Sequence, residues 1–282
     1  MKYYIIIPTY NEEKFISLTL QSLVEQTVLP SKVVVVNDGS TDKTAEIIQL
    51  FTEKHSFITL VNKTSQAIHL PGSKVIQAFN KGLETIDDNY DFIVKADADL
   101  IFPPHYFETI SNHFQSDNQI GMAGGFCYIK KNGEWILENL TNKDHIRGAI
   151  KAYRKDTFNQ IGGLKPEMGW DTVDELLCKF YNWKVVTDNS LRVKHLKPTG
   201  ANYNQAARFK QGEAFYSLGY GFWITAIASL KLALLKKKPF LYFDYIQGFW
   251  KAKSAKKPLL VTSEQAKFIR NYRWKKIKEK IL

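Results

Sequence analysis

Two carboxylates two residues apart, in Asp97-Ala98-Asp99, follow the short apolar run Phe92-Ile93-Val94. In a strand, side chains at i and i+2 leave the same side of the backbone, so both carboxylates take one direction. That arrangement suits a hard divalent cation, which prefers oxygen ligands and keeps some water or phosphate in its shell. A cation held there neutralises a diphosphate as it departs. The pattern is short and equally fits two solvated turn residues, so its meaning depends on its neighbours. A second polar cluster is Asn37-Asp38-Gly39-Ser40-Thr41-Asp42, after the β-branched run Lys32–Val36. Gly39 permits a tight turn, and Ser40, Thr41 or Asp42 can cap a helix. Capping does not account for Asp38 at the strand tip, where a carboxylate can accept a hydrogen bond from a base ring N–H. The third cluster, Pro8-Thr9-Tyr10-Asn11-Glu12, follows Tyr3–Ile7.

These clusters need a scaffold that brings strand ends together. The first 115 residues alternate short apolar runs with amphipathic stretches. Strands are predicted at Tyr3–Ile7, Lys32–Val36, Ile58–Val61 and Phe92–Val94, and helices at Glu12–Gln26, Asp42–His55, Ser73–Thr85 and Pro103–Phe114. The alternation predicts an α/β fold, a mainly parallel sheet flanked by helices on both faces. Right-handed crossovers then set every strand's C-terminal end along one edge, where open α/β sheets bind ligands. The three polar clusters all fall just after predicted strands, so they converge on one crevice. Beyond Ile120 the pattern loosens. Gly121–Ile129, Trp183–Val186 and Leu191–Val193 read as strands, and Ala149–Phe158 and Asp174–Tyr181 as helices. The reading divides the chain into a catalytic domain, 1–204, and a helical C-terminal extension, 205–282.

Pro8-Thr9-Tyr10-Asn11-Glu12, then Val35-Val36-Asn37-Asp38-Gly39-Ser40-Thr41-Asp42, then Lys95-Ala96-Asp97-Ala98-Asp99 resemble the successive signatures of family 2 glycosyltransferases. The resemblance spans about residues 1–200. It implies the A-type glycosyltransferase fold, a nucleotide-diphosphate sugar donor, Mn²⁺ or Mg²⁺ as cofactor, and inversion at the anomeric carbon. It implies a donor site at Pro8, Thr9, Tyr10, Glu12, Asp38 and Asp97, with Asp99 on the metal. Ala78-Phe79-Asn80-Lys81-Gly82 resembles a family segment that often carries an arginine. Phe79 replaces it here, and Lys74, earlier on the same helix, is the candidate for that positive charge.

Inverting transfer needs a general base to take the acceptor hydroxyl's proton. The family has it in an acidic motif in the second half of the domain. Counting back from Asn182-Trp183-Lys184, which resembles the family's Gly-Trp-Lys, aligns Asp171 with the base. Trp170 stands where a Glu usually precedes it. Asp174 is the runner-up and Glu175 the third, though both also suit an acidic first helical turn. His195, after Leu191–Val193, corresponds to a histidine that family members often direct at the metal or diphosphate; an isolated histidine is otherwise a surface or core residue.

Composition narrows the rest. The 282 residues carry 44% hydrophobic and 24% charged residues, as in a globular protein. Cys127 and Cys178 lie far apart in apolar surroundings and read as reduced thiols. The N-terminal apolar run is too short for a signal peptide, which points to a cytoplasmic enzyme. No G-x-G-x-x-G follows a strand and no G-x-x-x-x-G-K-[ST] occurs, which argues against dinucleotide oxidoreduction and P-loop phosphotransfer. The formal net charge is +11, and Lys231–Leu282 alone carries 15 Lys/Arg against 3 Asp/Glu. This tail follows and overlaps a run rich in Phe, Tyr and Trp, a composition that favours a lipid head-group region. The expected partners are therefore a nucleotide-diphosphate sugar, a saccharide or lipid-linked acceptor, and an anionic membrane surface, with no nucleic acid. The expected location is peripheral, on the inner face of the cell membrane. The activity read from all this is hexosyl or N-acetylhexosaminyl transfer in polysaccharide or glycolipid biosynthesis. A nucleotidyltransferase making nucleotide-sugars and a non-catalytic scaffold of the same fold are the alternatives.

Overall fold

The computed structural model describes residues 1–63, 72–138, 144–197 and 209–281. These pack as two compact units: one of residues 1–63, 74–138, 144–164 and 181–197, the other of 72–73, 165–180 and 209–281. In chain order the first unit contains β1 (Tyr3–Thr9), α1 (Ile16–Val24), β2 (Lys32–Asn37), α2 (Thr44–Lys54), β3 (Ile58–Asn62), α3 (Ser73–Leu83, its first residue apart), β4 (Phe92–Ala96), β5 (Leu100–Ile101) and α4 (Tyr106–Ser116). It continues with β6 (Ile120–Lys131), β7 (Glu134–Leu137), β8 (Ile150–Arg154), α5 (Lys155–Gln160) and, after the segment belonging to the second unit, β9 (Lys184–His195).

One sheet runs in the order β3-β2-β1-β4-β8-β6-β9-β5, with β7 paired to β6. The four strands from β3 to β4 are parallel and nearly all apolar, as strands covered on both faces must be. Tyr3 stacks on Phe107 of α4, with ring centroids 5.0 Å apart. Ile6 and Val36 face Gly82 of α3, where a Cβ would sit 2.7 Å and 2.8 Å from their methyl groups. Tyr3 and Ile6 point to opposite sides of the pleat, so α4 and α3 cover opposite faces. The sheet turns antiparallel at β8, which pairs with both β4 and β6. Two antiparallel steps return β6 to the direction of β4, and β9 runs parallel to β6. The C-terminal ends of β1, β2, β4 and β9 therefore share one edge.

The structure departs from expectation at 149–158. Ile150–Arg154 is a strand, and only Lys155–Gln160 is helical. Ile150, Lys151, Ala152 and Tyr153 are all buried, so the strand lacks the two-residue alternation that identifies a half-buried one. The two short strands expected at 183–186 and 191–193 are one 12-residue strand, β9.

The second unit holds α6 (Trp170–Phe180), α7 (Lys210–Ser217), α8 (Gly221–Leu235), α9 (Leu241–Ser254) and α10 (Ser263–Ile281). The segment with α6 packs here although it precedes β9 in sequence. Helices α7 and α9 meet backbone to backbone: a Cβ on Gly212 would overlap the Tyr245 carbonyl oxygen, and one on Gly248 would overlap that of Phe209. Phe180 of α6 packs edge-on against Phe268 of α10, at 5.5 Å. Among the described residues no helix is long and apolar enough to cross a membrane.

Candidate functional site

The turn after β4 is anchored by its backbone before its side chains do anything. The Asp97 amide donates to the Ala149 carbonyl at 3.0 Å, and the Leu196 amide donates to the Asp99 carbonyl at 2.9 Å. Thr19 of α1 closes the turn: its hydroxyl donates to the Ala98 carbonyl at 2.8 Å and accepts from the Leu100 amide at 3.0 Å. Strand β5 then pairs with β9 so that Leu100 lies opposite His195. This register brings the Asp99 carboxylate to 3.4 Å from His195 Nε2.

Potential ligand atoms of Asp97, Asp99 and His195 lie within 4.8 Å of one another. Asp99 and His195 are buried, while the Asp97 side chain keeps 34% of its exposure. Lys95, buried in β4, forms an ion pair with Asp97. Burial alone would lower the His195 imidazole, but Asp99 and Glu138 outweigh it and raise the pKa to about 9. Glu12 adds a further carboxylate. Burial raises its pKa, Lys197 at 2.7 Å opposes that, and Asp99 and Asp97 raise it again. Its Oε2 is buried with no hydrogen-bond partner among the described residues. Two aspartates, one imidazole and a nearby orphaned carboxylate oxygen form a donor set that fits a divalent cation.

The loops after β1 and β2 are knitted together beside this edge. Asn11 takes φ +53°, a left-handed conformation that asparagine tolerates. Its side chain accepts from the Thr41 amide at 2.8 Å, and its own amide donates to the Ser40 hydroxyl at 3.0 Å. The Asp38 amide donates to the Thr9 carbonyl at 2.9 Å. The Asp38 carboxylate is buried and paired with Lys63 Nζ at 2.5 Å. Pro8 and Thr9 are buried at the end of β1, and Tyr10 is 53% exposed just beyond. Lys74 is half-buried in the first turn of α3.

The structure thus brings together Asp97, Asp99, His195 and Glu12, and separately Thr9 and Asp38. Asp171 belongs to the second unit, in the first turn of α6. Burial raises the pKa of the Tyr220 phenol, Arg273 at 2.6 Å opposes it, and Asp171 adds a smaller rise. Asp174 and Glu175 are buried on the same helix, and the Asp174 carboxylate accepts from the Glu175 amide at 2.6 Å. Sequence reasoning missed Thr19, Lys63 and Glu138. Lys63 was the most accessible of the three, as a lysine just after the third predicted strand.

A second group, Cys127, Glu138 and His195, also has ligand atoms within 4.8 Å of one another. The Arg147 guanidinium stands 3.4 Å from Glu138 there and balances its charge. Burial pushes the Cys127 thiol up to about 12, so it does not offer a thiolate near neutral pH.

Comparison with known proteins identifies the family and the fold. Residues 4–166 match the sequence profile of Glycosyl transferase family 2. An uncharacterized glycosyltransferase of Mycoplasma genitalium is 31% identical over 178 residues, covering 58% of this chain and 57% of that one. The aligned part of this chain spans 57% or less of the length of this relative and of two further matched glycosyltransferases, from Mycoplasma pneumoniae and Escherichia coli. Among solved structures, the mannosyltransferase PcManGT of Pyrobaculum calidifontis, in complex with GDP-Man and Mn²⁺, superposes with a TM-score of 0.58 at 19% identity, covering 96% of this chain and 79% of that one. S. aureus TarS 1-349 with UDP-GlcNAc gives 0.57 at 21% identity, covering 82% and 67%. Both share the A-type glycosyltransferase fold, a mixed sheet flanked by helices. With the profile matching more than half of its length, the chain belongs to glycosyltransferase family 2.

Proposed function

We propose that the protein transfers a sugar, with inversion, from a nucleotide-diphosphate donor to a hydroxyl acceptor, in hexosyl or N-acetylhexosaminyl transfer. The observation that carries the reading is the convergence of Asp97, Asp99 and His195 at the C-terminal edge of the sheet. Thr9 and Asp38 would hold the base or ribose. Lys63, now on Asp38, and Lys95, now on Asp97, keep these carboxylates charge-balanced inside the fold. Asp99 and His195 would hold Mn²⁺ or Mg²⁺, with Asp97 and Glu12 beside them. The ion supplies charge neutralisation to the departing diphosphate. In the transfer, the acceptor oxygen forms a bond to the anomeric carbon as the bond to the diphosphate oxygen breaks. The hydroxyl proton passes to a carboxylate base, for which the family resemblance favours Asp171, with Asp174 second. The electron pair of the broken bond leaves on the nucleoside diphosphate. Turnover of a panel of nucleotide-sugars with Mn²⁺ tests this. Asp99→Ala abolishes hydrolysis and transfer, and Asp171→Asn still binds donor but does not transfer. A chain that binds no donor with any metal, indistinguishable from both variants, overturns the reading and favours a scaffold.

The acceptor we favour is lipid-linked or surface polysaccharide, met at an anionic membrane face on the cytoplasmic side. Helix α8 supports this because its amphipathicity is reversed. It buries Ile224, Thr225, Ser229 and Ala233, and exposes Trp223 (70%), Ile227, Leu230 and Leu234 (64%) along one face. On α9, Phe243 (68%) and Trp250 are exposed, with Phe240 (79%) at its cap. A helix in water buries its large apolar side chains, so this face asks for an apolar cover. Lys231, Lys236, Lys237, Lys238, Lys251 and Lys253 stand exposed on the same two helices and the turn between them. Apolar rings among ammonium groups match an anionic lipid interface, which takes up both.

A further inference from the structure

We infer that Glu138 is a positioning residue: it fixes the His195 ring so that Nε2 is presented to the divalent cation, and Arg147 holds Glu138 in place. The inference rests on the metal-dependent reading above and adds residues that the sequence did not suggest for it.

A metal binds an imidazole nitrogen only through its lone pair, so the other nitrogen must carry the proton. Of the two His195 nitrogens, Nε2 faces Asp99 at 3.4 Å and Nδ1 lies 3.0 Å from Glu138 Oε2. With Glu138 accepting the Nδ1 proton, Nε2 is the nitrogen left for the ion. The same bond stops the ring from turning over. Glu138 is itself fixed: its amide donates to the Cys127 carbonyl at 2.9 Å, which ties it to β6 just past β7. Arg147 reaches its carboxylate at 3.4 Å.

Burial separates this role from simple packing. The Glu138 side chain is 3% exposed and that of His195 5%. A carboxylate so deep is costly unless it is paired and hydrogen-bonded, and an apolar side chain would fill the space at less cost. Glu138 is paired on one side with Arg147 and on the other with the one imidazole of the metal cluster. Carboxylates that orient a ligating histidine in this way typically change metal affinity about 10–100-fold when removed.

The test titrates Mn²⁺ alone, without nucleotide, into the full chain and follows free Mn²⁺ by electron paramagnetic resonance. The variants are Glu138→Leu, Glu138→Gln and Asp99→Ala. Glu138→Leu should weaken Mn²⁺ binding about 10–100-fold. Glu138→Gln should lose less, because its amide oxygen still accepts the Nδ1 proton. In turnover assays Glu138→Leu should raise the Mn²⁺ concentration for half-maximal rate, while saturating Mn²⁺ restores kcat. A packing defect lowers kcat at every Mn²⁺ concentration and would overturn the assignment. So would folded Glu138 variants that bind Mn²⁺ as tightly as wild type while Asp99→Ala does not; that outcome leaves the metal reading standing. If Glu138→Leu does not fold, Glu138→Met, which is close to glutamate in size and offers no carboxylate or amide oxygen to Nδ1, decides, and wild-type affinity in a folded Glu138→Met overturns the role. Wild-type protein that binds no Mn²⁺ overturns both.

Discussion

The Thr19 hydroxyl donates to the Ala98 carbonyl at 2.8 Å, between the two carboxylates of the candidate metal site. The same oxygen accepts from the Leu100 amide, so one buried side chain on α1 satisfies two of the turn's backbone groups. Thr19→Val keeps the shape and removes the hydroxyl. Leaving a buried carbonyl and amide unpaired should cost about 2 kcal/mol of stability. It should also weaken Mn²⁺ binding, because Asp97 and Asp99 lose their fixed separation. Urea unfolding and Mn²⁺ titration measure the two effects, and a variant unchanged in both contradicts the role given to Thr19.

The exposed face of α8 predicts vesicle binding. The protein should float with vesicles of anionic phospholipid at low salt and not with phosphatidylcholine alone. Binding should weaken at high salt, because the lysine contribution is screened. Burial of one large apolar side chain is worth about 1.5–3 kcal/mol. Trp223→Ser combined with Leu234→Ser should therefore lower partitioning more than tenfold while leaving transfer to a soluble acceptor unchanged. No flotation at low salt removes the membrane from the proposal.

Cys127 and Cys178 are both free and buried, and burial holds the Cys127 thiol at about 12. Thiolate is the reactive form, so neither cysteine should react with a thiol reagent at pH 8 in the folded protein. Both should react once urea unfolds the chain. Rapid labelling of the native protein would contradict this burial.

Asp87 links three parts of the first unit. It accepts from the Tyr4 hydroxyl at 2.6 Å, the Asn89 amide at 2.9 Å and Lys32 at 3.0 Å. The Tyr4 bond is the largest cause holding its carboxyl well below the usual carboxylate range, followed by Asn89 and Lys32. A depressed folded pKa gives stability that is present above the unfolded value, about 3.9, and is lost as pH falls below it. Wild type should therefore lose stability as pH falls below about 4, and Asp87→Asn should lose less over that window. The change should be small, because the carboxylate is exposed. Thermal unfolding followed at several acidic pH values reads the difference; identical acid limbs would refute it.

The sequence by itself determined the half of the molecule governed by local pattern. Apolar runs such as Tyr3–Ile7 and Phe92–Val94 are too short for helices and rich in β-branched and aromatic residues, so they read as covered strands, and polar residues after them fall at one edge of a parallel sheet. That placed Thr9, Asp38, Asp97 and Asp99 before any coordinates. Strand β8 was misread because burial on both faces erases the alternation that distinguishes strand from helix. What the tertiary structure alone decided were the long-range contacts. Glu138 meets His195 across 57 residues, and Thr19 meets Ala98 across 79. No local periodicity encodes such pairs, because they follow from the register of β5 on β9 and from where α1 packs. The C-terminal unit divides in the same way. Its lysines and aromatics were legible as composition, but the side of α8 that faces solvent depends on which side its neighbours cover.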